Sequence, residues 1–240
     1  MPLSETDRVV ESGLSVLLDV NNLQRLSEGL LVTLKVAVLS IALALALGIV
    51  IGLIALSPRR IVQIPYRLFL ETIRIVPQIV WLFIVFFGLA KLFGWNWSGE
   101  TVGVVVFGLW GAAEMADLVR AAVASLPTHQ TQSAQALALS KAQIYRYVLV
   151  PQALRRLIPA SINLATRIIK TTPLLVLITV VEVLKVGQQI IETKLLTMPS
   201  AALWIYAFIF FIYFAICYPV SLASRRLEEK WNTHDGRVTA

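Results

Sequence analysis

The sequence predicts an all-α membrane protein, five transmembrane helices with a long basic loop between the third and the fourth. Three observations carry this expectation. Of the 240 residues 58% are hydrophobic and 15% charged, where soluble domains average about 45–50% and about 25%. Mean hydropathy is +0.77. The apolar residues also gather in long runs, and about 20 of them at a rise of ~1.5 Å cross the ~30 Å hydrocarbon layer. Such a composition excludes a disordered chain, a collagenous rod and a disulfide scaffold.

The elements follow in order. Residues 1–28 contain acidic residues throughout and no basic start leading into an apolar core, so no cleavable signal is expected. Leu14, Leu17 and Leu18 share a helical face, which suits a short interfacial helix, a loosely ordered tail being the alternative. Residues 29–224 form the transmembrane domain, with spans expected at about 30–56, 66–92, 101–126, 157–184 and 201–224. The run Val36 to Leu56 holds no charge and stops at Ser57-Pro58-Arg59-Arg60. The second span carries Glu71 and Arg74, the third Glu114, Asp117 and Arg120, the fourth Arg167, Lys170 and Glu182. The fifth is charge-free and aromatic-rich. Residues 225–240 form a tail.

Net charge is +7. In a soluble protein that would suggest a nucleic-acid surface; in a membrane protein it reports orientation, and no nucleic-acid partner is expected. Lys and Arg number eleven in 57–68, 127–156 and 225–240, against four in 1–29, 94–100 and 185–200. This bias puts the N-terminus outside and the C-terminus in the cytoplasm, as an odd number of spans requires. Trp95, Trp97, Trp204 and Tyr206 then fall near the outer interface. Cys217 is the only cysteine and reads as a buried small hydrophobe, and His129 and His234 have no ligand neighbours, so no metal site is expected.

The loop 127–156 reads as two short helices with a sharp joint. Ala134 and Ala138, four apart, leave one helix face open to close approach. Ser140 and Gln143 have capping-box spacing, and Pro151 is expected to interrupt the second helix or mark its end. Such a knob can transmit force; an ordinary amphipathic connector has the same spacing. The intramembrane charges also admit two readings, since each costs at least about 2.5–3.5 kcal/mol and must face a bundle interior or wet cavity. Glu71 and Arg74, three apart, can pair, and all can be structural ion pairs. Alternatively Glu71, Arg74, Asp117, Lys170 and Thr172 line a path for a zwitterionic solute, with Pro173 breaking the fourth span beside them.

Order and spacing together carry a family resemblance. Gln132-Ser133-Ala134, with Ala138 four residues beyond and Val148-Leu149-Val150-Pro151 after it, resembles the E-A-A…G…I-x-L-P cytoplasmic loop of ABC importer permeases. The glutamate and glycine are replaced, and alanine at position 138 suggests a stiffer joint. Glu71-Thr72-Ile73-Arg74-Ile75-Val76-Pro77 resembles the family's F-R-G-T-P stretch, Ala113 to Arg120 its A-Y-x-A-E-x-x-R, and Lys170-Thr171-Thr172-Pro173-Leu174 its K-D-T-S-L. The likeness runs from about Glu28 to Trp231 and is closest to the polar amino-acid uptake branch, the histidine, glutamine and arginine permeases.

That resemblance implies a type I (MetI-like) importer permease in the bacterial inner membrane, importing polar amino acids by alternating access. It implies that Gln132, Ser133, Ala134, Leu137, Ala138, Ser140 and Pro151 couple to a cytoplasmic ABC ATPase dimer. It also implies an external solute-binding protein, a second permease subunit and surrounding lipid. The sequence has no G-x-x-x-x-G-K-[ST] loop and no catalytic constellation, so the chain is expected to be no enzyme; ATP and Mg belong to the partner. An ion-coupled secondary transporter is the rival reading, but no clear internal repeat supports it.

Overall fold

The computed structural model describes residues 13–236, with side chains through Trp231. The first twelve residues of the N-terminal segment and residues 237–240 of the tail lie outside the described residues. Eight helices make up the fold among the described residues, besides a helical turn at 13–18. They are α1 (Val20–Ile54), α2 (Arg60–Ile75), α3 (Gln78–Phe93), α4 (Gly99–Ala124), α5 (Thr128–Ala136), α6 (Lys141–Ile178), α7 (Val183–Lys194) and α8 (Ala201–Gly236). Four helices (α1, α4, α6 and α8) are long and apolar enough to cross a membrane, and the bent pair α2–α3, counted as one span, makes five.

Local chemistry explains the boundaries. At 35 residues, α1 is longer than a bilayer needs and begins well before the predicted span. The second span breaks at Val76-Pro77, because a residue before proline is driven to extended backbone, and Val76 has ψ 127°. Gly94 ends α3 in the left-handed region at φ 69°, its N–H bonded to Ala90 O at 3.0 Å.

The predicted fourth span, 157–184, is not one helix. Pro173 has no N–H to donate, and from Thr172 to Ile178 the chain winds as a tighter 3-10 helix. The chain turns at Thr179, φ 66°, and restarts at Val183 as α7, which runs on into the 185–200 stretch expected to be an outer loop. In the turn at 13–18 Val16 is buried, whereas Leu14 and Leu18 of the expected interfacial face are exposed.

Two compact units can be distinguished among the described residues, 13–39, 79–104 and 169–218 in one and 40–78, 105–168 and 219–236 in the other. The first buries Leu26, Val183, Val186, Ile190, Ile205 and Ile209 together. The second buries Ala55, Tyr66, Leu70, Ala113 and Ala116. In this second unit the absence of a side chain at Gly52 lets α1 lie directly on α4. A Cβ there would stand 2.6 Å from Val119 Cβ and 2.8 Å from Ala116 O. Small residues matter in this way because helices in lipid associate by close packing rather than by the hydrophobic effect. Gly52→Val should therefore lower stability by about 1–3 kcal/mol, as overpacking does, and depress the unfolding midpoint in detergent. Gly88→Ala is the control, with no atom nearer than 3.9 Å, and should leave the midpoint in place.

Candidate functional site

On α2, Gln63, Arg67, Glu71 and Arg74 recur at helical spacing and form a polar face, while Ile61, Ile64, Leu68 and Ile75 are exposed. α4 carries Glu114, Asp117 and Arg120 three apart, so that all three meet that face. Arg74 is the centre of the contact. Its Nε donates to Glu114 Oε1 at 2.8 Å and its Nη1 to Asp117 Oδ2 at 3.2 Å. The second oxygens are also engaged: Arg167 Nη1 of α6 reaches Glu114 Oε2 at 2.8 Å, and Arg120 Nη2 reaches Asp117 Oδ1 at 2.8 Å. The Arg167 guanidinium lies 4.8 Å from the Trp110 ring centre. Three helices are thus tied by a chain of alternating charge.

The expected Glu71–Arg74 pair is not formed. The forked guanidinium matches the two α4 carboxylates better than one neighbour on its own helix. Glu71 and Arg67 instead line a cavity of about 330 Å³ without an ion-pair partner among the described residues. Arg74, Asp117 and Arg120 line it too. The volume lies within the ~300–1,000 Å³ range of small-molecule pockets. Such a lining can meet both ends of a zwitterion.

The structure therefore brings together Glu71, Arg74 and Asp117 of the five predicted path residues. Lys170 and Thr172 belong to the other unit and line no part of this cavity. Lys170 is exposed. Thr172 is fully buried; its hydroxyl donates to Ile169 O at 2.8 Å and lies 3.1 Å from Tyr213 OH.

That tyrosine belongs to a polar network built on Glu182, which the sequence alone marks only as one more intramembrane charge. Glu182 is 0% exposed. Its Oε1 accepts from Lys185 N–H at 2.9 Å, capping α7. Thr33 Oγ1 and Tyr213 OH lie 3.2 and 3.4 Å from its Oε2. The signal was a carboxylate three residues before a helical N–H, together with Thr33 inside an apolar run.

In the 127–156 loop, Leu139 N–H bonds to Ala134 O at 3.2 Å and Ala138 N–H to Gln135 O at 2.9 Å, the Schellman closure of α5. Ala138 occupies the left-handed position at φ 60°. The joint expected to be stiff is thus also strained, because a Cβ crowds the backbone in that conformation. Ser140 accepts from Gln143 N–H, and Gln143 Oε1 accepts from Ser140 N–H at 2.8 Å, so both halves of the capping box are made. Of the two expectations for Pro151, interruption or an end, the helix does not end there. Pro151 follows a π-helical turn, Ile144–Leu149, in which Val150 N–H bonds back to Tyr145 O, and the wider turn carries α6 through the proline.

The loop is anchored at its base. Arg156 Nη1 donates to Ser125 O and Oγ, both at 2.7 Å, and Gln152 Nε2 to Gln130 Oε1 at 3.3 Å. Ala134 is buried, while Gln132, Ser133, Leu137, Ala138, Ser140 and Pro151 are exposed. Leu137 is 77% exposed, an aliphatic side chain at the apex of a rigid joint.

Residues 29–233 match the family described as binding-protein-dependent transport system inner membrane component. The chain belongs to that family. Among curated relatives, this permease is 30% identical over 201 residues to the probable glutamine ABC transporter permease protein GlnP of Bacillus subtilis, covering 84% of this chain and 91% of the relative. It is 31% identical over 206 residues to the probable amino-acid ABC transporter permease protein YckA of the same organism, covering 85% and 88%. Among solved structures, the permease fold is similar to a chain of an amino acid ABC transporter crystallised with histidines. The TM-score is 0.77 at 23% identity, covering 96% of this chain and 100% of that one. A chain of the MetNI methionine ABC transporter in an inward-facing conformation gives 0.64 at 17%, covering 87% and 99%. These two likenesses establish the MetI-like fold.

Two expectations follow for the permease. Arg74→Gln and Glu114→Gln should be non-additive in a double-mutant cycle on thermal stability, with coupling of about 0.5–3 kcal/mol; additivity would show the contact to be idle. At the loop joint, Ala138→Gly should keep or raise hydrogen-exchange protection of the α5 amides. Ala138→Val should speed that exchange by about tenfold, because a β-branched side chain adds crowding to a left-handed position already strained with alanine. Equal loss in both variants would refute a strained joint.

Proposed function

We propose that this permease is the membrane subunit of an ATP-driven, binding-protein-dependent importer of polar amino acids. The supporting observation is the rigid, exposed loop joint at Leu137–Ser140, held by a Schellman closure on one side and a capping box on the other. A lever that must pass force from one protein to another needs such stiffness. Membership of a binding-protein-dependent family and the amino-acid permeases among its relatives support the substrate class.

In this reading a cytoplasmic ATPase dimer, which alone carries ATP and Mg, grips residues 127–156, and its closure rocks the spans outward. Hydrolysis and release reset them inward. Two permease subunits, identical or paralogous, flank the path, and an external solute-binding protein delivers the solute. The N-terminus is outside and the C-terminus in the cytoplasm, an orientation supported by the Lys and Arg excess in the loops on the C-terminal side.

The solute's ammonium meets Glu71 and its carboxylate meets Arg67, the cavity charges not already spent on ion pairs. Arg74 and Asp117 hold that wall in place.

The test is at the joint. Leu137→Asp should abolish co-purification of the ATPase and cut ATP-dependent uptake by about tenfold or more, as loss of an interface anchor does. The permease's own unfolding midpoint should not move, since Leu137 is exposed. Retention of the ATPase with full uptake would overturn the reading.

A further inference from the structure

Where α6 and α8 leave the apolar layer, a second polar cavity of about 200 Å³ opens between them. Its chemistry is mixed: Arg155, Arg156 and Asn163 come from α6, Glu228 and Trp231 from α8. Ser224 Oγ donates to Pro159 O at 2.9 Å and joins the two helices beside it. Arg156 is committed to Ser125. Arg155 and Glu228, although they line the same cavity and carry opposite charge, make no ion pair with each other or with any described residue.

Depth narrows the occupant. The apolar run of α8 closes at Ser224, and Glu228 lies four residues on, about 6 Å further along the axis. The headgroup layer is about 5–7 Å thick on each side of the hydrocarbon. Arg155 and Arg156 stand immediately before the apolar Leu157 on α6, and Trp231 is a residue type that settles at this interface. A cation and an anion held apart at headgroup depth suit one molecule that carries both charges.

We infer that this cavity binds a phospholipid headgroup that joins a phosphate to a primary ammonium, as in phosphatidylethanolamine. Arg155 takes the phosphate; Glu228 takes the ammonium hydrogens; Trp231 covers the pair. A free amino acid offers the same two charges, but it lacks the acyl chains that would lie along the apolar helices below.

The test uses the full-length chain, purified in mild detergent, stripped of lipid, and mixed with dioleoyl phosphatidylethanolamine, phosphatidylglycerol or phosphatidylcholine. Bound lipid is counted by native mass spectrometry. The ethanolamine lipid should bind about tenfold better than the other two, the scale of one charge-assisted hydrogen bond. Glu228→Gln should erase its advantage over phosphatidylglycerol, while Arg155→Gln should weaken both lipids. Unfolding midpoints without lipid should be unchanged, since both side chains are exposed. Equal binding of the three lipids, or a preference that neither substitution moves, overturns the inference. Displacement of the lipid by excess free glutamine, with a glutamine adduct that needs Glu228, would make the ligand a soluble zwitterion and overturn the lipid assignment.

Discussion

A charge inside a bilayer must bring its counter-charge with it, and that constraint organises the unit around Arg74. One guanidinium spans two carboxylates three residues apart on α4, and each carboxylate's second oxygen takes another arginine. Replacing water around five ionised groups in this way uses all four carboxylate oxygens. What remains is telling: Arg67 and Glu71 share the cavity with this chain but are left out of it. The fixed charges make a wall, and the spare ones make a site.

The other unit handles burial differently. Glu182 makes no ion pair among the described residues; hydroxyls of Thr33 and Tyr213 and a helix N-terminal N–H surround it. A carboxylate at a helix N-terminus is also favoured by the helix dipole. The result ties α1, α7 and α8 through one side chain, next to the place where Pro173 has already ended regular α-helical winding. Thr172 joins that network through its contact with Tyr213 OH.

The 127–156 loop is closed by its backbone although two residues of the motif it resembles are replaced. Ala138, at the glycine place of the motif the loop resembles, adopts the left-handed conformation. Backbone hydrogen bonds on both sides over-determine the turn and hold the strain in place. Rigidity here comes from closure of the chain, and the residue type only sets its cost.

Composition and periodicity alone determined that this chain is a helical membrane protein, where its longest apolar runs lie, and which loop carries the capping box, because these depend on neighbours within a turn or two. The order of weak motifs named the family. Partner choice was beyond such reasoning. Spacing allowed Arg74 to pair with Glu71, yet two carboxylates 40 and 43 residues away claim it, since only the packing of α2 on α4 decides which offers the better fork. Likewise Pro151 and Pro173 carry the same sequence signal, but a π-helical turn carries the helix through the first, while tighter 3-10 winding and a left-handed turn follow the second. A proline states that one hydrogen bond is missing; the tertiary surroundings settle how the backbone makes up for it.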